Sequence, residues 1–211
     1  MTTDSHRLSI LTNREIEELY GLPQFTPEDR SLYFDLSPPE REAVGASRTP
    51  STAAHLILQM GYFKARKQLF AYEMEAVRED LRYILERHFP GRDLTSLKMP
   101  FRHTRLEQQR LILRLFDYRL CDASARDEME QKAQRSAMLS TQPIYILREM
   151  LQYLNQQRRV APVYTALQDM IGRVITSEIN RESAFAGKSA FPRPGTAAKG
   201  PAARRRGNVS D

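Results

Sequence analysis

Apolar residues recur along this chain at intervals of three and four and hardly ever in sustained alternation, so its elements read as helices. Met74, Val77, Leu81, Leu85 and His88 mark a long helix over 71–89 that stops before Pro90-Gly91. Ile144, Leu147, Met150, Leu151 and Leu154 mark another over 143–157. Leu167, Met170, Ile171, Val174 and Ile175 mark a third over 163–178. Helices over 104–116 and 123–138 fill the interval between. Capping boxes begin helices at Thr12 to Glu15, Ser37 to Glu40 and Thr104 to Glu107, and Thr26-Pro27 and Thr49-Pro50 supply two further starts. The first 61 residues therefore divide into short helices over 13–20, 27–34, 38–44 and 50–60, the last closing at Gly61. After about position 181 Ala, Gly, Pro, Lys and Arg dominate, a composition unable to bury enough apolar surface to order itself. The expected fold is all-α: two successive helical modules of helix-turn-helix type, over 1–68 and 69–180, and a disordered basic Pro/Gly/Arg tail over 181–211.

Composition adds a real core and removes several classes. Hydrophobic residues make up 41% of the 211. No apolar run is long enough to cross a bilayer, and the start does not read as a secretory signal, so a cytoplasmic protein without a membrane partner is expected. One cysteine, Cys121, excludes an intrachain disulfide. The formal charge of +6 is unevenly spread. Residues 46–120 carry fourteen Lys/Arg against eight Asp/Glu, whereas residues 1–45 are net acidic and residues 121–178 are balanced.

Catalytic and metal signatures are missing. His6, His55, His88 and His103 lack the partners of a zinc site, and no phosphate-cradling glycine motif or nucleophile elbow occurs. Asp122 and Asp127 read as acids at a helix start. The chain therefore reads as no enzyme, with no catalytic residue, no metal, no cofactor and no small-molecule substrate.

Its cationic middle points to nucleic acid instead. In Gly61 to Phe70, Lys64, Arg66 and Lys67 interleave with aromatics and no acid; the cations suit phosphates, while Tyr62, Phe63 and Phe70 suit packing. Arg48, Arg110, Arg158 and Arg159 join them as phosphate candidates. Over 104–116 a wide apolar arc leaves Glu107, Arg110 and Arg114 to solvent. Arg105, Gln108 and Gln109 at the helix tip either read base edges or hydrogen-bond at a domain junction. Over 143–157 the polar side holds Tyr145, Arg148, Gln152 and Asn155, residue types able to bond bases and phosphates; the alternative is a partner-helix interface.

Several segments carry a family resemblance. Leu19-Tyr20-Gly21-Leu22-Pro23, Leu56 through Ala65, Val77 through Pro90, Thr104 through Leu113 and Gln157 through Gln168 resemble, in order, the N-terminal region of the transposases of replicative, cointegrate-forming bacterial transposons, the Tn-three family. The resemblance implies double-stranded DNA as partner, at the transposon's terminal inverted repeats, and places the family's RNase-H-like catalytic domain outside these residues. It is lost near Asn180, which implies a truncated or frameshifted gene product. Such a fragment can compete with intact transposase for the ends. The alternative function is a helical protein–protein interaction module, pairing through the 143–157 and 163–178 faces, with no specific DNA binding.

Overall fold

The computed structural model describes residues 8–188, and the chain is all-α among them. In order come α1 Asn13–Tyr20, α2 Pro27–Tyr33, α3 Pro38–Gly45, α4 Pro50–Arg66, α5 Arg78–His88, α6 Arg102–Leu115, β1 Arg119–Leu120, α7 Ala123–Ala137, α8 Pro143–Gln156, β2 Arg159–Val160 and α9 Tyr164–Lys188. Short 3₁₀ turns precede α5 at Glu75–Val77 and α6 at Leu94–Ser96.

The expected caps at Thr12 and Thr26 form: each hydroxyl accepts from the third amide of its helix while Glu15 or Asp29 accepts from the cap amide. Glu40 likewise accepts from the Ser37 amide at 2.7 Å, and Thr49 accepts from Thr52 N at 3.1 Å. The box at Thr104 does not form. Helix α6 starts two residues earlier, with Arg105 N bonding Phe101 O at 3.0 Å, because nothing in Arg102 or His103 opposes helical dihedrals once Pro100 is passed.

Two hydrophobic cores result. Helix α4 is the axis of the first: every residue from Ala53 to Phe63 is buried, and α2, α3, α5 and α6 pack around it. Tyr62 and Phe63 share this core with Tyr72, Val77, Leu81, Ile84, Leu85 and Ile112, so residues on both sides of position 68 build it together. The second core is a three-helix arrangement of α7, α8 and α9 in mutual contact. The N-terminal segment closes it: Leu11 is buried there with its amide donating to Tyr164 Oη at 2.9 Å, and Ile16 and Tyr20 of α1 pack beside it.

Between the cores run β1 and β2, a two-residue parallel pair that the periodicity does not show, with Arg119 opposite Arg159 and Leu120 opposite Val160. Val160 buries its side chain in the first core.

Besides the start of α6, three helix boundaries differ from expectation. Helix α4 runs through Gly61 to Arg66, since that glycine lies against Phe34, where an added Cβ would collide with the ring. The long helix over 71–89 shortens to α5, because Val77 takes a non-helical φ of −116° and Tyr72 turns inward to bond His55 at 3.0 Å. Helix α9 passes Asn180, so 181–188 is helical and not tail. The remainder of the expected tail, 189–211, lies outside the described residues, as does His6.

Candidate nucleic-acid interface

The basic run that closes α4 divides once folded. Lys64 Nζ donates to Asp35 O at 2.6 Å and pairs with the Glu40 carboxylate at 3.4 Å, so this lysine ties α4 to the start of α3. Lys67 takes the left-handed cap position (φ 54°), donates from Nζ to Lys64 O at 2.8 Å and stands 5.9 Å from the Phe63 ring centre. Burial, then the Lys64 charge, lower its pKa. Only Arg66 of the three faces solvent without a partner among the described residues. Tyr62 and Phe63 are buried, and Phe70 packs edge-on against Tyr62, which fits their reading as packing residues.

Helix α6 corrects one base candidate. Gln108 is 5% exposed: its Oε1 accepts from Gln59 Nε2 at 2.6 Å and its Nε2 donates to Thr52 O at 2.8 Å. Its amide is occupied within the α4–α6 interface, as in the domain-junction reading. Arg105 and Gln109 are half-buried beside it, and the charge of Arg105 reaches the buried His55 and Tyr72.

The outward face of α6 is a different set: Arg102, Leu106, Arg110 and Arg114. Spacing of four keeps them on one stripe that drifts about 40° per step. None of these arginines forms an ion pair or side-chain hydrogen bond among the described residues. On α5 the contrast is plain, since Arg78 pairs with Glu75 at 3.1 Å, Arg82 with Glu79 at 2.7 Å and Arg87 with Asp35 at 3.3 Å. Arg110 and Arg114, like charges four apart on the helix, repel, and the exposed Glu107 offsets only part of that modest cost, which an external polyanion would relieve. Its spacing is in the sequence, but starting the helix at Thr104 hides Arg102. Arg48 is likewise exposed and unpartnered, at the step before the Thr49 cap of α4.

Helix α8 presents the other candidates. Arg148 and Gln152 are exposed, whereas Tyr145 is half-buried against the second core. Asn155 is exposed with its Oδ1 accepting from Tyr118 Oη at 3.1 Å, so the polar side of α8 ends beside the segment leaving α6. Arg158 stays exposed while pairing with Asp117 at 3.4 Å. Arg159 is drawn inward, 18% exposed, donating to Leu120 O at 3.1 Å and to the Asp122 carboxylate at 3.0 Å. Asp122 is the cap of α7, accepting from Ala125 N at 2.9 Å. The Ala125 amide and Arg159 hold its pKa down.

The buried ionisable groups have structural employment. Asp80 receives Tyr62 Oη at 2.6 Å and Arg30 Nε at 2.7 Å, joining α2, α4 and α5; burial and this bond push the Tyr62 hydroxyl up. Burial holds His55 down to about 4, keeping its ring neutral. Burial raises the Cys121 thiol, which argues against a reactive thiolate. Among the described residues no three His, Cys, Asp or Glu side chains gather to hold a metal, and no helix is long and apolar enough to cross a membrane. What Arg48, Arg66 and the outward face of α6 offer is exposed guanidinium donors without an ion pair among the described residues.

Residues 10–174 match the family model of a domain of unknown function, DUF4158. The comparison with curated proteins finds no match.

Proposed function

We propose, from the premise that the chain belongs to the DUF4158 family over residues 10–174, that it binds the terminal inverted repeats of a transposon as duplex DNA. Domains of this family are found in Tn-three family transposases, in keeping with the resemblance of the five segments named above. The observation that carries the reading is the arginine stripe of α6, three cations that form no ion pair among the described residues, with Glu107 the only exposed acid on that helix. Arginine holds a phosphate through a planar fork of donors, and each phosphate neutralised releases condensed counterions. Arg102, Arg110 and Arg114 are the phosphate contacts, joined by Arg48 and Arg66. Arg148 and Gln152 on α8 keep free donors suited to base edges, the two helices acting as parts of successive helix-turn-helix modules. In this role the chain positions DNA and catalyses nothing, and it shares its target with intact transposase.

Fluorescence anisotropy with a terminal-repeat duplex and a scrambled duplex of equal length tests the reading. Tighter binding of the repeat by about a thousandfold or more is expected, the low end of the ratio for specific binders. Equal affinities would remove the repeat from the account.

A second reading is favoured by α9. Ile179 and Phe185 stand 50% and 68% exposed along its C-terminal part, a surface suited to another helix. As a helical interaction module, the chain would associate through α9 and bind no DNA specifically. Sedimentation of the protein alone and with duplex separates the two.

A further inference from the structure

Beside the first core lies a cleft of about 410 Å³ between the start of α4 and the start of α6, the size of a small-ligand pocket. Its walls differ from the rest of the surface in three ways. Among the lining residues there is no carboxylate, but there are two cations, Arg92 and Lys98, both exposed and neither paired through its side chain among the described residues. The nearby acid, Asp93, does not line the cleft; its Oδ1 accepts from the Ser96 amide and the Thr95 hydroxyl, at 3.2 and 2.6 Å. The wall is also fixed, because Ser51 Oγ donates to Lys98 O at 2.9 Å and accepts from Lys98 N at 3.0 Å. That clamp ties the approach to α6 to the first turn of α4.

The third feature is Phe101. It lines the cleft at 77% exposure, next to a proline and ahead of an uncapped helix start. One face of its ring stacks on His103, with centroids 5.9 Å apart and planes within 10°. Most of the residue remains open to solvent, leaving ring surface available for stacking. A flat exposed ring lining the same cleft as two unpaired cations is the arrangement by which proteins hold an unpaired base and its phosphate together. Bases inside a duplex are stacked on their neighbours and do not offer a face to such a ring.

We infer that this cleft holds an unpaired nucleotide of a DNA strand, with its phosphate against Arg92 and Lys98 and its base stacked on the exposed ring of Phe101. The inference rests on the DNA-binding reading but uses a cleft beside the N-terminal end of the α6 stripe, lined by none of the stripe's own residues. The protein would then grip duplex through one surface and a frayed or single-stranded portion through the other.

The test is anisotropy of labelled oligothymidine and of labelled duplex with wild type, Phe101→Ala, the pair Arg92→Ala and Lys98→Ala, and Arg110→Ala. Phe101 is too exposed for its truncation to cost folding, and a retained circular dichroism spectrum and melting temperature check this. Phe101→Ala is expected to weaken oligothymidine binding by roughly 5- to 100-fold with duplex affinity unchanged. The Arg92 and Lys98 pair is expected to weaken it as well, and Arg110→Ala to affect duplex more than oligothymidine. Wild-type binding of duplex with no measurable oligothymidine binding would overturn the inference and leave the duplex reading intact. Loss in the Arg92 and Lys98 pair with none in Phe101→Ala would overturn the base assignment, reducing the cleft to a backbone contact. Efficient displacement of oligothymidine by free thymidine monophosphate would overturn the strand assignment. Phe101-dependent oligothymidine binding without any duplex binding would keep the cleft and overturn the duplex reading.

Discussion

Gln59 and Gln108 meet across the α4–α6 interface, where Gln59 Nε2 donates to Gln108 Oε1 at 2.6 Å while Gln108 Nε2 reaches Thr52 O. Truncating Gln108 to Ala leaves the buried Gln59 amide with only a 3.5 Å bond to His55 O, and is expected to destabilise the fold by about 1–3 kcal/mol. Preference for a repeat duplex over a scrambled one should be unchanged. Urea titration and anisotropy measure the two quantities, and a loss of preference at full stability would restore Gln108 to the DNA surface.

That pair also shows where the sequence is readable and where it is not. Capping boxes and proline starts are local chemistry, so the beginnings of α1 to α4 are legible, and the periodicity of α8 marks it to within a residue. What depends on a distant neighbour is hidden. Gly61 looks like a stop but answers to Phe34, and Tyr72 leaves the helical pattern to reach His55. Among the candidate cations, Lys64 and Arg159 are indistinguishable in sequence from Arg66 and Arg110, because partners such as Asp35, Glu40 and Asp122 are brought up only by folding. Charge is legible along a chain, whereas whether it is neutralised is not.

Asp80 is nearly buried and serves both Tyr62 Oη and Arg30. Replacement by Ala leaves that hydroxyl and guanidinium without their acceptor and is expected to cost about 3–5 kcal/mol, the usual consequence of breaking a buried charge pair. Tyr62→Phe removes one bond only and should cost about 1–2 kcal/mol. Urea midpoints check the order, and an equal cost for both would mean that Arg30 contributes nothing.

Gly61→Ala improves helix propensity by about 1 kcal/mol yet drives a methyl into the fully buried Phe34 ring. Overpacking of this kind costs about 1–3 kcal/mol, so a lower melting temperature is expected. A higher one would show that Phe34 yields easily.

His55 is neutral in the fold, its pKa held at about 4, whereas the unfolded chain takes up the proton near 6.5. The depressed value makes its contribution fully present above about pH 6.5 and progressively lost as pH falls towards 4, amounting to about 3 kcal/mol. His55→Asn keeps a group near the Tyr72 hydroxyl but cannot titrate. Wild type should therefore lose more stability than the variant between pH 7.5 and 4.5, measured by urea midpoints at each pH. Parallel losses would show that the ring is protonated inside the fold.

The stripe formed by Arg102, Arg110 and Arg114 is most directly tested by the salt dependence of duplex binding. Plotting the logarithm of affinity against that of salt concentration, for wild type and for the variant with all three arginines changed to Ala, counts the phosphates they hold. Three lost contacts flatten the slope by about 2.7 and weaken repeat and scrambled duplexes alike. An unchanged slope would contradict the assignment of α6 as the DNA-facing surface.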